Sequence, residues 1–401
     1  MSETQATSRR RGSTELMGYP MKGSNGNGKY GHSGNNGRRG RGIGKDPALM
    51  EHVVLVKFLH QGKPSYLSAR EVARELGLNV SAVIALEQAA FEKGLFSVIV
   101  HSPQEKKDVA RLEGAIKRRY GLKKVLLVPG SPQILGELEP QQRRALHTQV
   151  IRSMAHRVGA HLDDLVRAAA DRYVDAPAGR EPAPFAIGVA WGRSLHLIAE
   201  HLLSSPRPIQ FPGLVVRPIV GITSMQNKEP VEANVVAMDI ARRYGGVSEQ
   251  LPCPAFLERL DYDVVTKRKP ICEMLRKIAT CNVVITSMGP IPESADGAAE
   301  ISLTQDTAMN STLFESARGA VAEVCYWLVN RDGTERRSPY TAVGLGYEGL
   351  KKIAGDRNRE VILVTGGDRR RFEPLKAILK AGLASVLVSD TVTARYLVDE
   401  L

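Results

Sequence analysis

The sequence predicts an α/β domain built on a mainly parallel sheet with helices on both faces, preceded by a smaller all-α domain. Three observations predict it. From residue 122 onward, short β-branched runs alternate with helical segments, as in a crossover-connected parallel sheet. Before that, two short capped helices are joined by a tight turn. Ahead of both, Met1 to Asp46 carries eleven of the 37 glycines and almost no large apolar residues.

A chain of 401 residues is long enough for two or three domains. No apolar run approaches the ~20 residues of a membrane helix, and the N-terminus has no apolar signal-peptide core. The four cysteines (Cys253, Cys272, Cys281 and Cys325) lie far apart with no CxxC pair. That points to reduced thiols in the cytoplasm, with neither a metal site nor a cofactor. Half of the net charge of +12 lies in residues 1–46, where nine Lys/Arg face three acids. This arm, bounded at residue 47, cannot bury enough surface to order itself, and its cations suit phosphate contacts with nucleic acid. Arg38, Arg39 and Arg41 are its candidate DNA contacts.

Residues 48–100 read as a helix-turn-helix domain. Leu49 to Leu59 suits a one-faced helix, broken at Gly62-Lys63-Pro64. Ser68 with Glu71 forms a capping box for a helix that stops at Gly77. Asn79 caps the next helix, which stops at Gly94, and Ala73, Leu78, Val83 and Leu86 fall at core positions. The pattern fits a DNA-reading motif or an ordinary helical hairpin. Ser68, Arg70, Arg74, Asn79 and Ser81 are the candidate contacts, the arginines and Lys63 toward phosphates. The first turns of the second helix otherwise offer only Val80, Ala82, Ile84 and Ala85 to base edges.

Residues 101–121 read as a charged linker or oligomerisation helix, and residues 122–401 as the effector-binding domain. Its strands are expected in LKKVLLVPG, FAIGVA, Leu214 to Val220, Gly246 to Leu251, CNVVIT, EVILVTGG and ASVLVSD. Gln141 to Asp171 is expected to be a long helix interrupted near Gly159, and further helices separate the later strands. Ligands of such sheets bind at the carboxyl ends of strands. Three strand ends there carry anion-binding chemistry. After FAIGVA, Gly192 permits a sharp turn and Arg193 and Ser194 open a helix, either as an anion cradle or as a capped turn. A second loop offers Gly221, Thr223 and Ser224; a third offers Gly366 and Gly367 with Arg369, Arg370 and Arg371. Glu323, alone in an apolar stretch, suits sugar hydroxyls. His196 and His201 suit packing, and neither a Rossmann nor a P-loop fingerprint is present.

In order and spacing, KKVLLVPG, IGVAWGRSL, VVRPIVGITS, LPCPAFLERLDYDVVTKRKP, GAVAEVCYWLVNRDG, VILVTGGDRRRF and GLASVLVSDTVTARYL resemble the SorC family of bacterial sugar-sensing transcriptional regulators. The likeness runs from Met50 to the C-terminus. It implies a sugar-phosphate-isomerase-like fold that binds operator DNA as a homo-oligomer, dimer or tetramer, under control of a phosphorylated sugar. It also implies a phosphate loop of Gly188, Trp191, Gly192, Arg193 and Ser194, a pocket lined by Gly221, Thr223 and Glu323, and Arg370 or Arg371 in place of a lysine. The chain departs from the family at Ser194 (usually threonine), at Val-Cys-Tyr-Trp after Glu323 (usually small residues), at SMGPIPESADGAAEI, in the recognition helix, and in having the arm. The expected function is a DNA-binding regulator, not an enzyme. The rivals are a sugar-phosphate isomerase with Glu323 as its base, and a nonspecific nucleic-acid binder acting through the arm.

Overall fold

The computed structural model describes residues 49–50, 53–54, 57, 67–92, 103–175, 183–204, 209–222, 232–291, 317–338 and 340–401. Arg38, Arg39, Arg41, Lys63, Thr223 and Ser224 lie outside the described residues. The chain divides into two compact units, Met1–Val100 and His101–Leu401.

In the first unit, α1 (Ala69–Leu76) and α2 (Val80–Glu92) form where the capping residues place them. The Ser68 hydroxyl accepts from the Glu71 N–H, and the Glu71 carboxylate accepts from the Ser68 N–H at 2.8 Å. Gly77 ends α1 at φ 65°, a left-handed turn that glycine adopts without cost. Asn79 then accepts from the Ala82 N–H at 2.7 Å to start α2. Val72, Ala73, Val83, Leu86 and Ala90 bury together with Met50, Val53 and Leu67, and Leu78 packs at their edge.

The second unit begins with α3 (Pro103–Tyr120), whose Leu112 and Ile116 are fully buried in the main core. This helix, expected as a linker or oligomerisation helix, packs into the core of the second unit. Seven parallel strands follow: β1 (Lys124–Val128), β2 (Phe185–Val189), β3 (Leu214–Pro218), β4 (Val247–Ser248), β5 (Val283–Thr286), β6 (Glu360–Val364) and β7 (Val386–Asp390). Their order across the sheet is β1-β7-β6-β5-β2-β3-β4. Most of their residues are buried, which is why they read as continuous apolar runs rather than alternating ones. The helices of this unit include α4 (Pro140–Val174), α5 (Arg193–Ser204), α6 (Ala233–Arg243) and α7 (Arg259–Thr266), then α8 (Lys269–Ile278), α9 (Tyr347–Gly355), α10 (Phe372–Lys380) and α11 (Thr391–Leu397).

Two expectations need correction. The long helix α4 is continuous over 35 residues. Gly159 does not break it; a side chain there would meet Leu202 Cδ2 of α5 at 3.2 Å, so the glycine serves close helix packing. The strand expected at Gly246 to Leu251 is only Val247–Ser248, at the sheet edge. The apolar stretch around Glu323 is an antiparallel hairpin, Ala320–Val324 with Trp327–Asn330, in a separate four-stranded sheet that also contains Gly289–Pro290. Its two-residue turn is Cys325-Tyr326, both left-handed at φ 48° and 73°. Hairpin turns of this length favour Asn-Gly, and left-handed backbone costs other residues roughly 1–2 kcal/mol each.

Candidate functional site

The strand order fixes where a ligand would lie. From β2 the chain leaves through α5 to β3 on one side; from β5 it proceeds to β6 on the other, and β2 and β5 are neighbours. Their carboxyl ends thus flank the switch point of the sheet, the usual ligand crevice.

The loop after β2 lies at that point. The Ala190 N–H donates to the Ile285 carbonyl of β5 at 3.0 Å, and Gly192 turns at φ 108° to start α5. Nothing stands within 4 Å of a Cβ at Gly192, so its side of the loop is open. Ser194 is buried in the first turn of α5, among the N–H groups that head the helix. Trp191 stacks on Tyr326 with ring centroids 4.8 Å apart and planes 20° from parallel; Phe256 meets Tyr326 edge-on at 3.9 Å. The left-handed hairpin turn thus delivers an aromatic ring to the tryptophan of the loop after β2.

The three consecutive arginines diverge. Arg369 donates to the Leu135 carbonyl at 3.1 Å and faces solvent. Arg370 bonds Asp368, with Nη2 to Oδ2 at 2.7 Å, and Asp368 also caps the turn by accepting from the Arg370 N–H. An internal carboxylate therefore accounts for a cation near a helix start, without an external anion. Arg371 turns inward. Its Nη1 donates to the Met288 carbonyl just beyond β5, and its buried Nε–H has no hydrogen-bond partner among the described residues. A buried guanidinium N–H without an acceptor is costly, and an anionic ligand would satisfy it.

Glu323 lies in the same electrostatic neighbourhood as Arg371. Its Oε2 accepts from the Tyr326 N–H at 2.9 Å, and its Oε1 occupies the space a side chain would take at Gly289. Burial pushes its carboxyl above the ordinary range, against the pull of that N–H and of Arg371. A folded carboxyl raised above its unfolded value of 4.5 adds stability below that value, and loses it as pH rises through the folded value. Glu323→Gln should therefore lose less stability than wild type as pH rises above about 4.5, as read from denaturant midpoints between pH 4 and 8. Parallel profiles would show that the carboxyl is not desolvated.

Some residues singled out from sequence have other work. A Cβ on Gly188 would fall 2.6 Å from Ile219 Cγ2, so this glycine serves sheet packing. A Cβ on Gly221 would fall 2.5 Å from the Cys253 carbonyl oxygen and 2.6 Å from that of Pro254, both backbone. Gly221→Ala should cost about 2–4 kcal/mol in urea unfolding, since overpacking against backbone cannot relax; a loss below about 1 kcal/mol would refute this. The Gly367 N–H is already taken by Asp390 Oδ2 at 2.8 Å, so this loop is held from within. His196 has a buried Nδ1 with no partner among the described residues, and His201 meets His156 edge-on at 5.9 Å.

Sequence reasoning missed His147. It projects from α4, and its Nδ1 lies 2.9 Å from the Gly366 carbonyl, 219 residues away. Burial, then the Arg371 charge, push its pKa down to about 3. The ring is thus neutral at neutral pH, donates from Nδ1, and keeps an acceptor at Nε2. Only the spatial return of α4 to the β6 loop could have pointed to it. A cavity of about 550 Å³ lies outside this cluster, lined by Glu139, Arg143, Asp368, Arg369 and Arg370 among others, but not by Trp191, Ser194, Glu323 or Arg371.

Comparison with known proteins adds an independent view of the same residues. The family model "Putative sugar-binding domain" matches residues 104–399. The chain is 22% identical over 335 residues to the deoxyribonucleoside regulator of Bacillus subtilis (strain 168), covering 83% of this chain and 93% of that protein. The crystal structure of the full-length sorbitol operon regulator SorC from Klebsiella pneumoniae is similar at TM-score 0.60 and 18% identity, covering 88% of this chain and 98% of that one. A transcriptional regulator from Streptococcus pneumoniae TIGR4 is similar at TM-score 0.55 and 15% identity, covering 74% and 98% respectively. At these identities the structural likeness establishes the fold.

Proposed function

The chain belongs to the sugar-binding-domain family found in SorC-type regulators, and we propose that it is a DNA-binding transcriptional regulator controlled by a phosphorylated sugar or related carbohydrate. The observation that carries the effector class is Arg371, an inward guanidinium with a buried Nε–H lacking an acceptor among the described residues, beside the buried carboxyl Glu323. One end of the ligand is then anionic, held by Arg371 and the first turn of α5 at Arg193 and Ser194. The other end carries hydroxyls that donate to Glu323. The names of the relatives, a deoxyribonucleoside regulator and a sorbitol operon regulator, support a sensor rather than an enzyme.

In this proposal residues 1–47 are a basic arm, 48–100 the DNA-reading domain, 101–121 a helix leading into the sensor, and 122–401 the effector-binding domain. The protein works in the cytoplasm as a homo-oligomer, dimer or tetramer, on operator DNA. No helix among the described residues is long and apolar enough to cross a membrane. The effector favours one inter-subunit arrangement and so changes the spacing of paired DNA-reading helices. It shifts that balance only by its difference in affinity for the two arrangements.

The test is a band-shift assay on the chain's own upstream region, with and without a panel of sugar phosphates. A specific shift altered by one of them is expected. No specific shift under any condition would refute the regulator. Turnover of a sugar phosphate that Glu323→Gln abolishes would favour the isomerase instead, and equal binding of all duplexes, lost on deleting residues 1–46, the nonspecific binder.

A further inference from the structure

We infer that the exposed face of α2 reads A·T base pairs by packing apolar side chains against thymine methyl groups in the major groove. The inference rests on the regulator proposal and specifies what the DNA must look like.

The inner side of α2 is committed: Ala82, Val83, Leu86 and Ala90 are buried. The outer side consists of Val80, Ser81, Ile84, Ala85 and Gln88, all exposed, with Ile84 at 52%. Val80 and Ile84 stand one turn apart, as do Ser81 and Ala85, so the four form one patch. None of the five carries a charge. Glu87, at the margin of the patch, is paired with Lys57. Asn79 is occupied in capping, its carbonyl accepting from the Ala82 N–H.

The cations lie elsewhere. Arg70 and Arg74 are exposed on α1, where the Glu71 carboxylate is engaged by Ser68, and nine more Lys/Arg lie in residues 1–46. An uncharged patch with exposed Arg70 and Arg74 on the neighbouring helix complements a major groove, whose phosphates line the rims and whose floor presents base edges. Guanine is normally read by the forked guanidinium of Arg or the ammonium of Lys, which this face lacks. Thymine presents the one apolar group on the floor, its C5 methyl, and small or β-branched side chains match it. The departure of this helix from a polar recognition surface thus becomes a statement of which bases it selects.

Duplexes would be selected from a randomised pool with the full-length chain. Each thymine of the winning site would then be replaced by deoxyuridine, which lacks only the methyl group. The expected result is a loss of about four-fold in affinity at one or more thymines of each half-site, the worth of one buried methyl. Ile84→Ala, on the exposed face, should keep the fold and abolish the loss at one such position. A selected site that tolerates deoxyuridine throughout would overturn the inference and leave the regulator standing. A pool with no enriched sequence would overturn the regulator proposal beneath it. An Ile84→Ala chain with altered oligomeric state and unchanged deoxyuridine sensitivity would make the face a protein contact, which also overturns the inference.

Discussion

Arg371→Gln should weaken binding of a responsive sugar phosphate about 100-fold or more, while Arg370→Gln weakens it less than about five-fold. The two residues are adjacent in sequence, but their partners differ. Arg370 is matched by Asp368 at 2.7 Å, whereas Arg371 points inward with an Nε–H that has no acceptor among the described residues. A hydrogen bond to a charged group contributes roughly 1.5–3 kcal/mol, and two such bonds with the loss of the charge account for a factor of this size. Glutamine places its amide where Nε now lies, two bonds short of Nη1, and so gives up the bond to the Met288 carbonyl; the fold of the variant is therefore checked separately from its binding. Calorimetric titration with the sugar phosphate that alters the band shift measures both variants, with circular dichroism as the control. A larger loss for Arg370→Gln would place the anion on the outer side of the loop.

Asp390→Ala should destabilise the second unit by about 3–5 kcal/mol, the largest stability effect expected of any single side chain near the site. Asp390 is fully buried at the carboxyl end of β7. One oxygen accepts from the N–H groups of Val392 and Thr393, the other from the Gly367 N–H and, at 2.6 Å, from the Thr393 hydroxyl. Removing the carboxylate strands four donors at once, each costing about 1 kcal/mol or more. Asp390→Asn should cost less, because its carbonyl still caps α11, but its amide would face the Gly367 N–H. Urea unfolding monitored by tryptophan fluorescence gives both values. Equal losses for the two variants would mean that the cap on α11 kept by the asparagine carbonyl contributes nothing.

The parallel sheet was legible because strands buried on both faces leave continuous runs such as Val125–Val128, Val283–Thr286 and Val361–Val364. The caps of α1 and α2 were legible because Ser68, Glu71, Gly77 and Asn79 act through local backbone geometry. Gly159 misled, since a glycine that admits a neighbouring helix looks in one dimension like a glycine that ends its own. The hairpin at Glu323 was hidden because its turn uses Cys325-Tyr326 and carries no Asn-Gly signal. In the site, the chemistry of the loops could be named, but not how those after β2 and β6 are placed. That depends on β1 preceding β2 in the chain while lying four strands away from it in the sheet. The choice between Arg370 and Arg371 likewise turned on Asp368, a residue visible in Gly-Gly-Asp but informative only once its side chain has a direction.

The Cys325-Tyr326 turn has a consequence for how this scaffold can diverge. Its backbone already has the dihedral angles of a glycine-type turn, so the native side chains are tolerated there rather than required. Exchanging them for Asn-Gly would relieve strain and remove the ring stacked on Trp191 in the same step. A change that alters ligand space ordinarily draws on a protein's reserve of stability. Here part of that cost would be returned locally by the turn, so the corner beside Trp191 could be widened or refilled with little disturbance to the sheet, which in the proposed sensor would retune its ligand.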